Sequence, residues 1–284
     1  MRRKKKLRIK KKPIFFILII FLIFGSILII KKTTFKTNKE IKLNELNNID
    51  KEITYFDYKK LDRYIKYKQK NKSLSNKEVV MDVNIGIDRD YYTHTKPSKN
   101  LNTTIILVNK YNYLKKNYIP KNLKDVSLKY SRSDMKLVGE AKEAYEKMAY
   151  DAYKQKYRIN AISSYRSYNY QVNLYNRYKQ KDGIDAADKY SARAGYSEHQ
   201  TGLAIDIDNG KVDFNNFEST KEFKWMIENA YKYGFILRFP KDKEKQTGYQ
   251  YEPWHYRYVG KKAAKYMYKN NLCLEEYYVK KIEN

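Results

Sequence analysis

Cysteine is nearly absent from this sequence. Cys273 is the only cysteine among 284 residues, which excludes an intrachain disulfide and a zinc-ribbon site. A single cysteine near the C-terminus is typical of a small buried apolar residue rather than of a nucleophile. Histidine is also scarce, with three residues in the chain, so a site that uses imidazole chemistry must draw on very few positions.

Acidic residues are also under-represented, since 32 Asp and Glu stand against 60 Lys and Arg, for a net charge of +28. Nine of the basic residues fall within the first twelve. This balance suits an anionic partner such as nucleic acid, phospholipid or an anionic cell wall, although the abundant Lys, Asn, Ile and Tyr would also follow from an AT-rich genome. No basic helix has a groove-reading pattern, so a nucleic-acid partner, which would rest on charge alone, is not expected.

The N-terminal 77 residues predict an anchor followed by a spacer. Residues 1–12 form a basic tail, and residues 13–30 contain an uncharged apolar run of 17 residues, near the lower limit for a membrane-spanning helix. Because Lys31 and Lys32 follow and no Ala-x-Ala site is present, we interpret this run as an uncleaved transmembrane signal anchor, with a cleaved signal peptide as the alternative. The tail should stay in the cytoplasm, which places the remainder outside the cell membrane. Residues 31–77 predict a polar stalk, either partly helical or a disordered linker.

Residues 78–284 predict a single α+β domain with a small, mostly antiparallel sheet and flanking helices. Apolar runs predict strands over residues 79–87, 104–108, 157–163, 203–207, 235–239 and 252–259. Helical periodicity and capping residues predict helices over residues 134–157, 167–179 and 220–234 and around residues 263–267. Residues 182–195, 241–248 and 274–278 predict loops and turns.

Two of the three histidines lie in two short stretches that also contain acidic residues. His199 and Asp206 are seven residues apart, and Glu252-Pro-Trp-His255 follows downstream. Two neutral imidazoles and a carboxylate are a ligand set that zinc accepts, with a fourth position left open for water. Glu252, which is not needed as a ligand, could take the proton of that water. His94, the third histidine, is expected to be an exposed residue rather than a ligand.

The spacing within these stretches is compatible with one site. Apolar residues at positions 203, 205 and 207 alternate with polar ones, so Asp206 should point away from the apolar face of its strand. An ideal strand would place Glu252 and His255 on opposite faces, but Pro253 cannot donate to a central ladder and favours a bend. Such a bend could bring both side chains to one metal, although the spacing alone leaves this open.

The two stretches together resemble the signature of the VanY-like D-alanyl-D-alanine carboxypeptidases, zinc metallopeptidases of the LAS type that act on bacterial cell-wall peptides. The signature reads Ser-x-His-x-x-Gly-x-Ala-x-Asp over residues 197–206, followed by Glu-Pro-Trp-His over residues 252–255. Further similar stretches are residues 107–110, 164–167 with Gln171, 234–238 and 256–260, and the resemblance covers roughly residues 105–280. One departure is Ala194, where the family often has Pro.

The resemblance implies roles for three further residues. Arg166, at a predicted strand-to-helix turn, matches an arginine that contacts the terminal carboxylate or the scissile carbonyl of the substrate; the alternative is a surface salt bridge. Ser197 matches a serine that helps to bind substrate, or it is only a turn hydroxyl. Gln171 lies one turn into the following helix, where it would face the site or serve packing.

We therefore predict a membrane-anchored zinc D,D-carboxypeptidase that removes the terminal D-alanine from peptidoglycan stem peptides. His199, Asp206 and His255 would hold Zn²⁺, Glu252 would transfer protons, and Arg166 would stabilise the oxyanion or bind the free carboxylate. An L,D-carboxypeptidase that cuts tetrapeptide stems and an endopeptidase share these motifs, and no residue chooses between them. A wall-binding module that has lost catalysis is a remote alternative, because the ligands and the glutamate are all present. The oligomeric state stays open.

Overall fold

The computed structural model describes residues 53–283, and the predicted basic tail, the apolar anchor and the first part of the stalk lie outside the described residues. Within residues 53–283, no helix is both long and apolar enough to cross a membrane. The chain divides into two compact units, Met1–Asn76 and Lys77–Asn284. Each unit is considered by itself below.

The described part of the first unit is helical. Asp57 caps a 3-10 turn at Tyr58–Lys60 by accepting a hydrogen bond from the backbone N–H of Lys59. Helix α1 follows at Leu61–Lys70 and buries Leu61, Tyr64 and Ile65. Their i, i+3, i+4 spacing places them on one face of a helix. The region predicted as a stalk is thus helical over residues 61–70.

The strand predicted over residues 79–87 is wrong. Asn76–Ile85 form helix α2, in which Val79, Val80 and Val83 are fully buried. Every second residue from 79 to 87 is apolar, but Val80 breaks that alternation and completes an i, i+1, i+4 helical face. Valine favours strands, and here tertiary burial on a helical face outweighs that local preference.

The strand predicted over residues 104–108 is also absent. This segment is a turn followed by irregular chain, in which Ile106 and Val108 are buried. The carbonyl oxygens of Thr104 and Ile106 accept hydrogen bonds from Nη2 of Arg257 at 3.0 and 2.7 Å. A side chain from the sheet therefore satisfies backbone groups that a neighbouring strand would otherwise bind.

The main sheet has four antiparallel strands in the order β5-β6-β8-β7. Two small two-stranded sheets precede it in the chain, β1 with β2 in parallel and β3 with β4 in antiparallel orientation. The prediction of a small, mostly antiparallel sheet in an α+β domain is confirmed. The strands are β1 Lys96–Pro97, β2 Asn112–Tyr113, β3 Leu123–Asp125, β4 Lys136–Val138, β5 Asn160–Ser163, β6 Ala204–Asp208, β7 Phe235–Leu237 and β8 His255–Tyr258.

The helices of the second unit begin and end with several of the predicted caps. The side chain of Ser167 accepts a hydrogen bond from the N–H of Tyr170, and that of Thr220 accepts one from Phe223. Gly234 ends its helical segment in the left-handed region, as predicted. The helices are α3 Gly139–Lys154, α4 Tyr168–Asp182, α5 Ile184–Tyr190, α6 Lys221–Asn229, α7 Glu244–Thr247, α8 Lys261–Asn270 and α9 Leu274–Lys281.

Several predicted boundaries are wrong. The helix predicted from residue 134 begins at Gly139, because Lys136–Val138 pair with Leu123–Asp125. Three segments predicted as loops or turns contain the short helices α5, α7 and α9. In α9, Leu274, Tyr278 and Val279 are buried against the domain, so packing stabilises a helix that is too short to be stable alone.

Two apolar clusters cover the two faces of the main sheet. One contains the buried face of α3 with Ile205, Ile207, Tyr256 and Tyr258. The other joins α8 and α9 to Ile236 and Val259. Since side chains alternate along a strand, Asp206 of β6 and His255 and Arg257 of β8 project from the face opposite the α3 cluster. This face carries the candidate site.

Candidate metal centre and active site

Asp206 and His255 are cross-strand neighbours. They lie directly opposite each other in the register of β6 and β8, on the same face of the sheet, where opposite residues are within side-chain contact. Both are buried, and Oδ1 of Asp206 lies 3.0 Å from Nδ1 of His255. The register of the sheet brings Asp206 and His255 together. The seven-residue spacing from His199 to Asp206 does not indicate this contact.

His199 approaches the pair from a 3-10 turn at Glu198–Thr201, directly before β6. Its Nδ1 donates to the carbonyl oxygen of Ser164 at 2.6 Å, so Nε2 is the unprotonated nitrogen and faces Oδ2 of Asp206 at 3.4 Å. Gly202 ends the turn in the left-handed region at φ +68°, where a Cβ would lie 2.8 Å from Leu123 Cδ2. The turn that carries His199 into the site therefore requires glycine at this position.

The three side chains form a fitting site for a metal ion. One ligand atom from each of His199, Asp206 and His255 lies within 4.8 Å of the other two. Ligands bound at about 2.0–2.1 Å to a tetrahedral ion are roughly 3.3 Å apart. Oδ2 of Asp206 lies 3.4 Å from Nε2 of His199, and its other oxygen, Oδ1, lies 3.0 Å from Nδ1 of His255. Oδ1 of Asp206 is buried without a hydrogen bond from any described residue. Such an unsatisfied buried oxygen among converging nitrogens suits a cation.

Charge and burial shift the pKa values of the three groups in different directions. Burial and the guanidinium of Arg166 lower the pKa of His199 to about 4. Burial disfavours a charged His255, but the carboxylates of Asp206 and Glu198 outweigh it and raise the pKa of His255 to about 9. For Asp206, burial is outweighed by the two imidazoles, which hold its pKa well below the ordinary range. Asp206 is thus an anion at physiological pH, as a metal-binding carboxylate must be.

Glu252 reaches the same site through the predicted bend. Pro253 and Trp254 form a turn directly before β8, and Oε2 of Glu252 lies 3.7 Å from Nδ1 of His255. The backbone N–H of Glu252 donates to the carbonyl oxygen of Phe239 at 3.2 Å. Burial raises the pKa of Glu252 to about 8, and a carboxyl group with a pKa near neutrality is suited to proton transfer.

Arg166 lies in the turn between β5 and α4, as the sequence predicts. Its Nη2 donates to Oδ2 of Asp206 at 2.8 Å and lies 2.9 Å from Nε2 of His199. Its Nε donates to Ser163 Oγ and its Nη1 to Gln171 Oε1, at 3.0 and 3.3 Å. These contacts fix the plane of the guanidinium, so Arg166 does not form a mere surface salt bridge.

Gln171 is buried on α4 and lines the cavity beside Arg166. Its Nε2 donates to the carbonyl oxygen of Ala192 at 2.8 Å, while its Oε1 accepts from Arg166. Both ends of its amide group are therefore engaged by the protein. Ser197 is buried as well. It lines the cavity directly before the 3-10 turn that leads into β6.

A cavity of about 470 Å³ opens over these residues. Its lining includes the three candidate ligands, Glu252 and Arg166, together with aromatic residues. Trp254 and Tyr249 line the cavity, whereas Tyr256 and Tyr258 belong to the core. Trp254 packs edge-on against Phe214 with ring centroids 4.9 Å apart. His94 is exposed and lies outside the site, as expected.

Sequence reasoning assigned no role to a charged network beneath the site. Oε1 of Glu198 accepts from Nε of Arg238 at 2.9 Å and from Nη1 of Arg257 at 2.7 Å. Arg238 also makes two hydrogen bonds with Glu275 of α9, at 2.9 and 2.6 Å. All four side chains are at most 3% exposed. Two features of the sequence could have pointed to this network. Glu198 lies between Ser197 and His199, and the two arginines lie directly after β7 and within β8.

Comparisons with known proteins agree with this geometry. The family described as VanY, D-alanyl-D-alanine carboxypeptidase, matches residues 134–261. YodJ of Bacillus subtilis (strain 168) is 41% identical over 223 residues, which cover 73% of this chain and 82% of that protein. The structure of the LdcB LD-carboxypeptidase superposes with a TM-score of 0.62 at 42% identity, covering 66% of this chain and 91% of LdcB.

A solved vancomycin-resistance D,D-pentapeptidase VanY, in complex with Zn(II), is also similar. Its TM-score is 0.53 at 33% identity, with 61% of this chain and 98% of that chain covered. The family match, the Bacillus subtilis relative and the two solved structures all agree with the fold and with the motifs that converge on the cavity. The chain therefore belongs to the VanY family of D-alanyl-D-alanine carboxypeptidases.

Proposed function

We propose that this protein is a zinc-dependent D,D-carboxypeptidase that removes the terminal D-alanine from peptidoglycan stem peptides. One observation carries the proposal: the carboxyl group of Glu252 lies 3.7 Å from a ligand atom of the His199, Asp206 and His255 set, inside the cavity. A similar VanY structure holds Zn(II), which supports zinc as the metal.

His199, Asp206 and His255 would hold the ion, and Glu252 would move the protons. A bound Zn²⁺ lowers the pKa of water and polarises a carbonyl group. Glu252 accepts the proton of the attacking water and later delivers it to the leaving amine, because its carboxyl group lies beside the ligands, 3.7 Å from Nδ1 of His255.

Arg166 would bind the developing oxyanion or the terminal carboxylate. A guanidinium has five N–H donors, and three of them are engaged by Ser163, Gln171 and Asp206. A fourth faces Nε2 of His199, but that lone pair would go to the ion in the zinc-loaded site. One N–H on Nη1 and one on Nη2 would then be available to substrate. The Ser197 hydroxyl is a second candidate for substrate binding, and Gln171 contributes by orienting Arg166.

An L,D-carboxypeptidase is the second candidate, and a specific observation favours it. The LdcB LD-carboxypeptidase has a TM-score of 0.62 and 42% identity, against 0.53 and 33% for the VanY D,D-pentapeptidase. The zinc ligands and Glu252 would act in the same way in both reactions. The difference is whether the residue before the scissile bond is a D- or an L-amino acid.

Incubation of the full-length, zinc-loaded chain with synthetic pentapeptide and tetrapeptide stems tests the proposal. Product masses should show loss of one D-alanine from the pentapeptide. Loss from the tetrapeptide alone would establish the L,D reaction instead. If neither peptide is shortened, the carboxypeptidase proposal fails, and cross-linked muropeptides would then distinguish an endopeptidase from a non-catalytic wall-binding module.

We further propose that the chain is a single-pass membrane protein with a cytoplasmic N-terminus and an extracellular catalytic domain. The support is the basic cluster in residues 1–12 and the uncharged apolar run that follows it. Protease added to intact cells should digest the catalytic domain. Digestion only after lysis would contradict the orientation.

A further inference from the structure

Two buried polar atoms face each other behind the candidate metal centre. Oε2 of Glu198 lies 3.6 Å from Nε2 of His255. Both atoms are buried, and within residues 53–283 neither has a closer hydrogen-bond partner. Buried polar groups in proteins almost always have a partner. Since each is the other's available partner, a small closure of this distance would satisfy both.

The carboxylate of Glu198 is held rigidly for this contact. Arg238 and Arg257 both bind its other oxygen, Oε1. Each of these guanidinium groups forms a buried ion pair with the carboxylate, at 2.9 and 2.7 Å. Glu198 is therefore an anion. Its Oε1 is held by the two arginines, and its Oε2 is directed at the His255 ring. Such an oxygen accepts a hydrogen bond and cannot donate one.

This arrangement selects one tautomer of His255. If Nε2 carries the proton and donates it to Glu198, Nδ1 presents its lone pair to Asp206 and Glu252. His199 has the opposite arrangement, because its Nδ1 donates to the Ser164 carbonyl and its Nε2 faces Asp206. The two imidazoles thus offer different nitrogens to one centre, and the remaining nitrogen of each faces a protein acceptor.

We infer that Glu198 is a positioning residue that fixes the tautomer and orientation of His255 for metal binding. The inference rests on the proposed zinc site. Glu198 touches neither the proposed ion nor the substrate; it acts through His255. Carboxylates that accept the second N–H of a metal-bound histidine commonly contribute 10- to 100-fold to metal affinity or activity. The network also links this contact to α9, because Glu275 binds Arg238.

The wild-type protein provides the first test, through the ¹⁵N-labelled imidazoles of its three histidines. In the zinc-loaded, full-length chain, two-bond ¹⁵N–¹H correlations should assign His255 as protonated at Nε2 and His199 as protonated at Nδ1. The His94→Gln variant assigns the third ring. A His255 that is protonated at Nδ1 and bound to metal through Nε2 would overturn the inference. Zinc that does not bind at all would instead defeat the proposed function.

A pair of variants gives the second test. Glu198→Gln keeps the side-chain shape but must direct an amide N–H at a guanidinium or at His255, so zinc affinity should fall about 10- to 100-fold. Glu275→Gln weakens the same network one residue further from His255 and should leave zinc affinity within twofold of wild type. Competition with a chromophoric chelator measures both. Equal losses in the two variants, or none in Glu198→Gln, would contradict a specific role of Glu198.

Discussion

Arg166 and Asp206, which are 40 residues apart in the chain, form a hydrogen-bonded ion pair of 2.8 Å at the edge of the metal-ligand set. The same Nη2 lies 2.9 Å from Nε2 of His199. The guanidinium therefore contacts two of the candidate ligands and also lines the cavity. This dual engagement depends on the planar fork of arginine, which lysine does not reproduce.

Arg166→Lys should lower kcat/KM by about 10²-fold, the usual effect of losing one oxyanion donor. The positive charge stays, but one ammonium group cannot reach Asp206, Gln171 and substrate at once. Steady-state kinetics on the cleaved stem peptide measure the effect. The matched control is Arg132→Lys, because the Arg132 side chain is 50% exposed and pairs with Asp208 outside the cavity lining. Equal kinetics of the two variants would contradict the assignment.

Removal of either imidazole should remove the metal. His199→Ala and His255→Ala each leave two protein ligands, so bound zinc, measured by elemental analysis after dialysis, should fall from about one equivalent to near zero. Chelator treatment of the wild type should abolish hydrolysis, and added zinc should restore it. The exposed His94 gives the control, and His94→Ala should keep its zinc. Full zinc occupancy in both ligand variants would refute the ligand set.

Glu252→Gln should separate metal binding from catalysis. The amide keeps the size of the side chain but cannot accept a proton, so zinc content should be unchanged while kcat falls about 10²- to 10⁴-fold. Kinetics and elemental analysis on the same preparation provide the comparison. Turnover close to that of the wild type would show that another group transfers the proton.

Gly202→Ala should lower the free energy of unfolding by about 1–3 kcal/mol, the range for a non-glycine residue in the left-handed region. The added Cβ would also lie 2.8 Å from Leu123 Cδ2 and 3.2 Å from Val138 Cγ2. Gly210→Ala is the control, since Gly210 has φ +75° but its Cβ would meet only Asn160 Nδ2, at 3.3 Å. Urea midpoints should fall further for Gly202→Ala, and the reverse order would contradict the packing argument.

Lys110 should make stability depend on pH in the alkaline range. It is 2% exposed and donates to the carbonyl oxygen of Asp188, and burial lowers its pKa to about 8 from an ordinary value of 10.5. The folded state must keep a buried amine charged below pH 8, and this cost disappears as pH rises to 10.5, where the unfolded lysine also loses its proton. Relative to Lys110→Met, the wild type should gain up to about 3 kcal/mol across that window.

Urea unfolding of both proteins at pH 7.5 and pH 10 measures this difference. The 31 tyrosines titrate in both proteins, so most of their contribution cancels. A stability difference that stays constant, or that shrinks as pH rises, would contradict the depressed pKa.

The chemistry of the site was largely predictable because it is carried by residue types in short stretches. Few histidines are present, and His199, Asp206, Glu252 and His255 could be singled out before any fold was known. Their predicted convergence is met in the structure, with the turn at Pro253 bringing Glu252 to His255. Arg166 was placed correctly as well, since a strand followed by a serine cap defines its turn.

Local patterns gave wrong predictions where the apolar residues fit both the period of a strand and the period of a helix, because packing then decides between the two. The apolar residues of 79–85 fit both a strand and a helical face, and burial selects the helix. The segment before Asn109 contains residues that favour strands. Its Thr104 and Ile106 carbonyl groups, however, accept hydrogen bonds from Arg257 rather than from another strand. Glu198 was visible only as a polar residue between two motif positions, because its two arginine partners are 40 and 59 residues away in the chain.

The sequence by itself therefore determined which groups can bind a metal, move a proton and hold an anion, because those abilities belong to individual side chains. Only the tertiary structure decided how they meet. The register of β6 against β8 makes Asp206 and His255 neighbours, and the buried arginines direct Glu198 at the far side of the His255 ring. Distances between residues far apart in the chain depend on sheet pairing and core packing, and no local pattern encodes them.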